Sequence, residues 1–264
     1  MRVEAGQVAV ITGGASGIGY GLAEALAGRG MRVVVSDIRE NAVADAESSL
    51  RAAGADVTGV VADVGVEASV RDLADRTMAA YGRVDLVCNN AGVVCPAVPM
   101  WEQDAATWER MIGVKVLGVV HGVKVFAPLL IEQGTGHILN TASAGGLAPL
   151  PGLSPYAGVM HAVVGLTETL DVELKQAAPA LGATVLCPGR VDTPLGLNSA
   201  ALGMLRPQAQ DSAPLPDGTL SPREVAEAAI EAIEAGRVHV APGPTVPGRA
   251  RARVEALLAD ITVV

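Results

Sequence analysis

The run Val8-Ala9-Val10-Ile11-Thr12, followed without a break by Gly13-Gly14-Ala15-Ser16-Gly17-Ile18-Gly19, restricts this chain more than any other feature. It reads as a buried apolar strand, a glycine-rich turn and the start of a helix. Leu22, Ala23, Ala25 and Leu26 continue that helix at helical spacing. Glycines let a backbone approach a pyrophosphate closely, and a helix N-terminus offers it free N–H groups and a partial positive charge. A glycine-rich turn alone carries little weight, because glycines also make ordinary turns. Here a second apolar strand, Arg32-Val33-Val34-Val35-Ser36-Asp37, ends in an acid eighteen residues past Gly19. That is close to the spacing of a ribose-binding carboxylate. The combination predicts a dinucleotide site, with Gly13, Ser16, Gly17, Ile18 and Gly19 at the phosphates and Asp37 at the ribose.

The pattern continues as alternating helices and strands. A polar helix is expected over about 41–53, a strand over 57–62 closing on Asp63-Val64, and a helix over about 67–81. A fourth strand is expected over 84–88, leading into Asn89-Asn90-Ala91-Gly92. Further on, helices are expected over about 104–131, 155–176 and 222–235, with strands over 137–141, 183–186 and 238–241 and a short helix after Pro247. The alternation implies right-handed crossovers. The predicted fold is α/β: one Rossmann domain over 1–264, with a doubly wound parallel sheet of about seven strands and helices on both faces. Ligands bind such sheets outside the carboxyl ends of the strands. Thr12, Asp37, Asp63 and Asn89–Gly92 all fall at such ends.

Composition narrows the function classes. Half of the residues are apolar but only six are aromatic, so Ala, Val, Leu and Ile must build the core. A net charge of −9 argues against nucleic acid or an anionic membrane surface as a partner. The longest apolar run, Met111–Ile131, carries Lys115, His121 and Lys124 and reads as a buried or subunit-interface helix rather than a membrane span. Cys88, Cys95 and Cys187 are few and odd in number; small core residues in a reducing compartment are expected. The first strand starts too early to leave room for a signal peptide, so a cytoplasmic location is expected. No His/Cys cluster has metal-ligand spacing, and no catalytic metal is expected.

The ordered motifs carry a resemblance. Thr12-Gly-Gly-Ala-Ser-Gly-Ile-Gly19, Asp63-Val64, Asn89-Asn-Ala-Gly92, Ser143, Tyr156 and Cys187-Pro-Gly-Arg-Val-Asp-Thr-Pro194 resemble the motifs of the short-chain dehydrogenase/reductase family. The resemblance runs almost end to end. It implies a single-domain enzyme, a homodimer or homotetramer, that moves hydride between a nicotinamide and a carbonyl or alcohol. It also implies that Asp63 and Val64 cradle the adenine, with a turn or cap as the plainer alternative for Asp63. Asn90, Ala91 and Gly92 would line the nicotinamide side of the cleft. Pro188, Gly189, Val191 and Thr193 would contact the carboxamide end. The stretch 195–220 resembles the family's variable substrate lid, and its Leu, Ala and Pro content suggests a hydrophobic substrate. Asp37 would repel a 2′-phosphate, the glycine loop has no basic residue, and Ile38 follows where NADP users often carry Arg; NAD is therefore expected over NADP. Arg39 could blunt this preference but is expected to be a solvated charge.

Two catalytic positions depart from the family. Ser143 and Tyr156 keep the family's separation, a serine to steady the oxygen and a tyrosine to donate the proton. The family's YxxxK lysine, however, is Met160, and the asparagine of its VNLxG motif is Lys115. One ammonium is lost and another appears on the neighbouring helix. A cation within about 4–6 Å favours phenolate, and Lys115 is long enough to reach into the vacated volume. Lys115 is therefore expected to join Ser143 and Tyr156 as the third catalytic group. The alternatives are a Lys115 that reaches back to solvent, a decayed site that only binds NAD, or reduction of a different acceptor such as an imine. His121 and His137 are expected to be ordinary helix and strand-edge residues.

Overall fold

The computed structural model describes residues 1–206 and 215–261. Runs rich in Val, Ile, Leu and Ala form β1 (Val8–Thr12), β2 (Arg32–Asp37), β3 (Val57–Val61), β4 (Leu86–Asn89), β5 (Gly136–Thr141), β6 (Leu181–Leu186) and β7 (His239–Val240). All pair in parallel, in the order β3-β2-β1-β4-β5-β6-β7. Helices cover both faces of this sheet, as the sequence predicts. The strand order reverses between β1 and β4, and the crevice opens there, at the carboxyl edge.

On one face, α1 (Gly17–Ala27) and α8 (Pro222–Glu234) close the core through Leu22, Leu26, Val225, Ile230 and Ile233. The start of α8 is fixed by a full capping box between Ser221 and Glu224. On the other face lie α3 (Glu67–Tyr81), α5 (Gly118–Gln133) and α6 (Ser154–Ala177), packed through Leu73, Phe126, Leu130 and Leu174. Burying each such side chain is worth about 1.5–3 kcal/mol. Many small contributions therefore replace the few large aromatic ones this chain lacks. The edge strand β3 and its inner neighbour β2 are flanked by α2 (Glu40–Ala52).

Four expectations are corrected. The helix expected over 104–131 is three pieces: α4 (Ala105–Met111), a π-helical turn Ile112–Leu117, and α5. His137 is not at a strand edge: β5 lies between β4 and β6. Its ring is buried, its Nε2 lies 2.8 Å from Thr184 Oγ1, and burial lowers its pKa to about 3. The stretch 195–220 holds a helix, α7 (Leu195–Ala201), while its residues 207–214 lie outside the described ones. The helix after Pro247 begins earlier and is longer than expected, α9 (Val246–Asp260). Cys88, Cys95 and Cys187 are all buried free thiols.

Candidate active site

A cleft of about 720 Å³ opens along the carboxyl edge of the sheet. The loop after β1 enters it first. Gly13 and Gly17 have φ of +62° and +53°, a region that side chains strain. A Cβ on Gly13 would lie 2.9 Å from Ala91 Cα, and one on Gly19 only 2.2 Å from Gly13 O. Gly13, Ser16, Gly17 and Ile18 line the cleft; Gly19 stands just behind and lets α1 approach the loop. Ser16 is the N-cap of α1 but its hydroxyl does not cap the helix, and the first turn carries no acid. The positive end of α1 and its free N–H groups therefore face the cleft. This suits a pyrophosphate and is the structural test that a dinucleotide fits here.

At the end of β2, Asp37 also lines the cleft. It is not alone. Arg39 Nε donates to Asp37 Oδ1 at 3.1 Å, its second guanidinium nitrogen reaches Oδ2 at 3.3 Å, and its third donates to Asn198 Oδ1 at 2.7 Å. The expectation of a solvated Arg39 is thus corrected. Asp63 and Val64 line the adjoining wall, with Asp63 Oδ1 accepting from Gly65 N at 2.8 Å in the turn of its plainer reading. Asn90 Nδ2 donates to Thr12 O at 3.0 Å, which ties the β4 loop to the glycine loop. Asn90, Ala91 and Gly92 face the middle of the cleft; Pro188, Gly189, Val191 and Thr193 form its far wall.

Ser143, at the end of β5, and Tyr156, in the first turns of α6, share the inner end. Ser143 Oγ accepts from Gly145 N at 3.2 Å, and its hydroxyl is close enough to bear on the Tyr156 phenol. Burial lifts the Tyr156 phenol above its ordinary value of 10.0, and the neighbouring Ser143 hydroxyl partly opposes this. Met160, one turn further along α6, is 2% exposed and belongs to the apolar cluster of Val119, Val163 and Val185 against which Tyr156 packs.

Lys115 does not turn to solvent: it is 2% exposed and lines the same cleft. It sits in the π-helical turn, a distortion common at functional sites. Its Nζ donates to Thr141 O at 2.7 Å and Ala91 O at 3.2 Å, the carbonyls at the ends of β5 and beyond β4. Burial, with no carboxylate to offset it, lowers its pKa from 10.5 to about 8. No hydrogen bond joins it to Tyr156 among the described residues. Two residues missed by the sequence reading also line this cleft, Asn198 and Arg249. Asn198 carried no usable signal, because its partners Arg39 and Ser16 are remote in sequence.

The sequence profile of the family described as short chain dehydrogenase matches residues 7–201. A 1-deoxy-11-beta-hydroxypentalenate dehydrogenase of Streptomyces avermitilis is 37% identical over 234 residues, 88% of this chain and 83% of that protein. A 3beta-hydroxysteroid dehydrogenase of Eggerthella lenta is 35% identical over 74% of this chain and 75% of its own length. A short-chain dehydrogenase/reductase of Burkholderia phymatum, solved in complex with NAD, superposes with a TM-score of 0.89 at 38% identity, covering 100% of this chain and 98% of that one. The glycine loop, the Ser143–Tyr156 pair and these similarities have one reading: this chain belongs to the short-chain dehydrogenase/reductase family of oxidoreductases.

Proposed function

We propose that this protein is an NAD-dependent oxidoreductase that interconverts a hydrophobic secondary alcohol and its ketone, with Lys115 in the role usually held by the lysine four residues after the tyrosine. The dinucleotide, when bound, supplies or takes up the hydride. The glycine loop and the α1 N-terminus would hold its phosphates, Asp37 its adenosine ribose, and Pro188 to Thr193 its carboxamide end. The preference for NAD rests on the Asp37 carboxylate, which repels a 2′-phosphate.

The observation that carries this reading is the convergence of Ser143, Tyr156 and Lys115 on one cleft. In reduction, Ser143 holds the carbonyl oxygen and Tyr156 Oη gives it a proton as carbon receives the hydride. Oxidation reverses both transfers. The phenol must therefore lose and regain a proton in a site whose burial favours the neutral form. A positive charge beside it relieves that cost. Lys115 is the buried ammonium on that wall of the cleft, and its third N–H is left for a hydroxyl. Leu150, Leu153, Leu195 and Leu202 at the substrate end support an apolar substrate. The pentalenate and steroid dehydrogenases similar to this chain act, by their names, on hydroxylated substrates.

One observation favours a second reading, a nucleotide-binding protein with little turnover: the Lys115 amine bonds two carbonyls and not the phenol. A single set of assays separates the two. NADH oxidation is measured against a panel of cyclic ketones for the wild type, Tyr156→Phe, Lys115→Asn, Met160→Lys and the double variant Lys115→Asn/Met160→Lys. Relocation of the cation predicts turnover in the wild type and the double variant, and losses of about 10²-fold or more in Tyr156→Phe and Lys115→Asn. NADH binding without turnover in the wild type supports the second reading. Self-association is proposed through Ile112, Leu117 and Val120 near the start of α5, together with Leu166 and Val172 of α6, which are exposed apolar side chains.

A further inference from the structure

The Arg39 network reaches further than the ribose carboxylate. Its guanidinium holds both oxygens of Asp37, the two atoms a ribose diol would need. The same group donates to Asn198 Oδ1 at 2.7 Å, and Asn198 Nδ2 donates to Ser16 Oγ at 3.1 Å. The tip of β2, the glycine loop and α7 are therefore stitched together at the mouth of the adenosine end. The next residue on α7 faces the other way. Ser199 is fully buried and its Oγ accepts from Val94 N at 3.0 Å, in the loop that follows β4. Just beyond α7, Leu202 O accepts from Arg110 at 2.6 Å, and Met204 joins the cluster of Val93, Met111 and Val159 against which Tyr156 packs. One short helix thus spans the cleft from the ribose carboxylate to the side of the tyrosine.

We propose that Arg39 and Asn198 form a latch: the guanidinium stands in for the ribose diol on Asp37 and ties α7 down, so cofactor entry and release of α7 are one event. Asn198 is then a positioning residue for the cofactor, acting through Arg39 and Ser16. This rests on the dinucleotide reading of the cleft. Arg39 is 30% exposed and Asp37 9%. The guanidinium can therefore swing out to solvent, while the buried Asp37 carboxylate it leaves is satisfied again by the ribose diol.

The test is the association rate of NADH, followed by its fluorescence in a stopped-flow instrument, for the wild type and two variants. Asn198→Ala removes both stitches and is expected to speed association about threefold to fivefold. Asn198→Asp keeps an acceptor for Arg39 and adds a charge, so it is expected to slow association. Arg39→Ala frees both Asp37 oxygens and is expected to tighten binding of AMP measured by calorimetry. Because the carboxylate of Asn198→Asp also repels the anionic dinucleotide, the latch is read from faster association in Asn198→Ala together with tighter AMP binding in Arg39→Ala. NADH bound by the wild type, with association in Asn198→Ala slowed or unchanged, overturns the latch and leaves the cofactor reading standing; weaker AMP binding by Arg39→Ala does the same. A wild type that binds no NADH overturns both.

Discussion

Lys115 sets stability against function, and the conflict can be measured. Its ammonium is fully buried against two carbonyls, and burial takes its pKa from 10.5 to about 8. In the unfolded chain the amine keeps its ordinary value. The shift therefore amounts to a cost of about 3 kcal/mol for carrying the charge into the fold. The folded pKa of a cation lies below the unfolded one, so this cost is present in full below about pH 8. It is released as pH rises from about 8 towards 10.5. Lys115→Met has nothing to desolvate and similar length, but it removes the donor to Thr141 O and Ala91 O, worth about 1 kcal/mol each. At pH 7 the variant is expected to be more stable than the wild type by about 1 kcal/mol, from the balance of those two terms. By pH 10 the order is expected to reverse. The assay is urea unfolding of both proteins at pH 7, 8, 9 and 10, reported as the difference in unfolding free energy, which cancels the other titrating groups. A difference that stays flat across this interval would mean that the amine keeps its ordinary pKa, and would refute the reasoning. Alongside it, NADH-dependent ketone reduction is expected to vanish in the variant at every pH. A substitution that adds stability while removing turnover marks a side chain that serves chemistry rather than folding.

The same geometry sets three further outcomes. Carbonyl reduction needs the Lys115 ammonium in our reading, so its rate is expected to fall as pH rises through about 8; a profile flat to pH 10 would remove that cation from the mechanism. Asp37→Ser is expected to weaken NAD by about tenfold while narrowing the gap to NADP, read by calorimetry with both nucleotides, because the ribose acceptor and the repulsion of a 2′-phosphate leave together. Gly122→Ala would place a Cβ 2.0 Å from Asn89 Oδ1, so the buried Asn89 amide must give up its bond to Asn140 or α5 must shift; a loss of about 1–3 kcal/mol is expected in thermal unfolding, with NAD binding retained.

The parallel sheet was legible because its strands are continuous apolar runs and its ligand edge is marked by residues that a core does not need: Thr12, Asp37, Asp63, Asn90. Each sits directly after a run, so counting along the chain finds it. What the sequence hid depends on contacts between distant segments. Arg39 reads as a surface charge until Asn198, far along the chain, is beside it. His137 reads as a strand-edge residue until β5 is known to be an inner strand. The helix α7 has no capping signal; Ser199, buried under Val94, holds it in place.

The π-helical turn is the hardest case, and it bears most directly on the chemistry. Helical periodicity looks alike whether a turn holds 3.6 residues or one more, so Met111–Ile131 reads as one long apolar helix. The extra residue in the turn changes the facing of the side chains around it, and Lys115 enters the cleft. Three other features fit the lysine there. Gly118 has no side chain, and a Cβ would meet Val64 at 2.9 Å, so the helix lies close to the β3 loop at this point. Gly92 has none either, and a Cβ there would lie 3.1 Å from Lys115 Cδ and 3.3 Å from Nζ. The carbonyls of Ala91 and Thr141 accept hydrogen bonds from its Nζ. The glycine that resembles a family cofactor motif thus also forms the slot in which this lysine runs. A side chain with a distorted helix, a tailored glycine and two backbone acceptors around it is held in one place, at a folding cost. That favours a relocated cation over a decayed site, in which nothing would keep a charged amine inside.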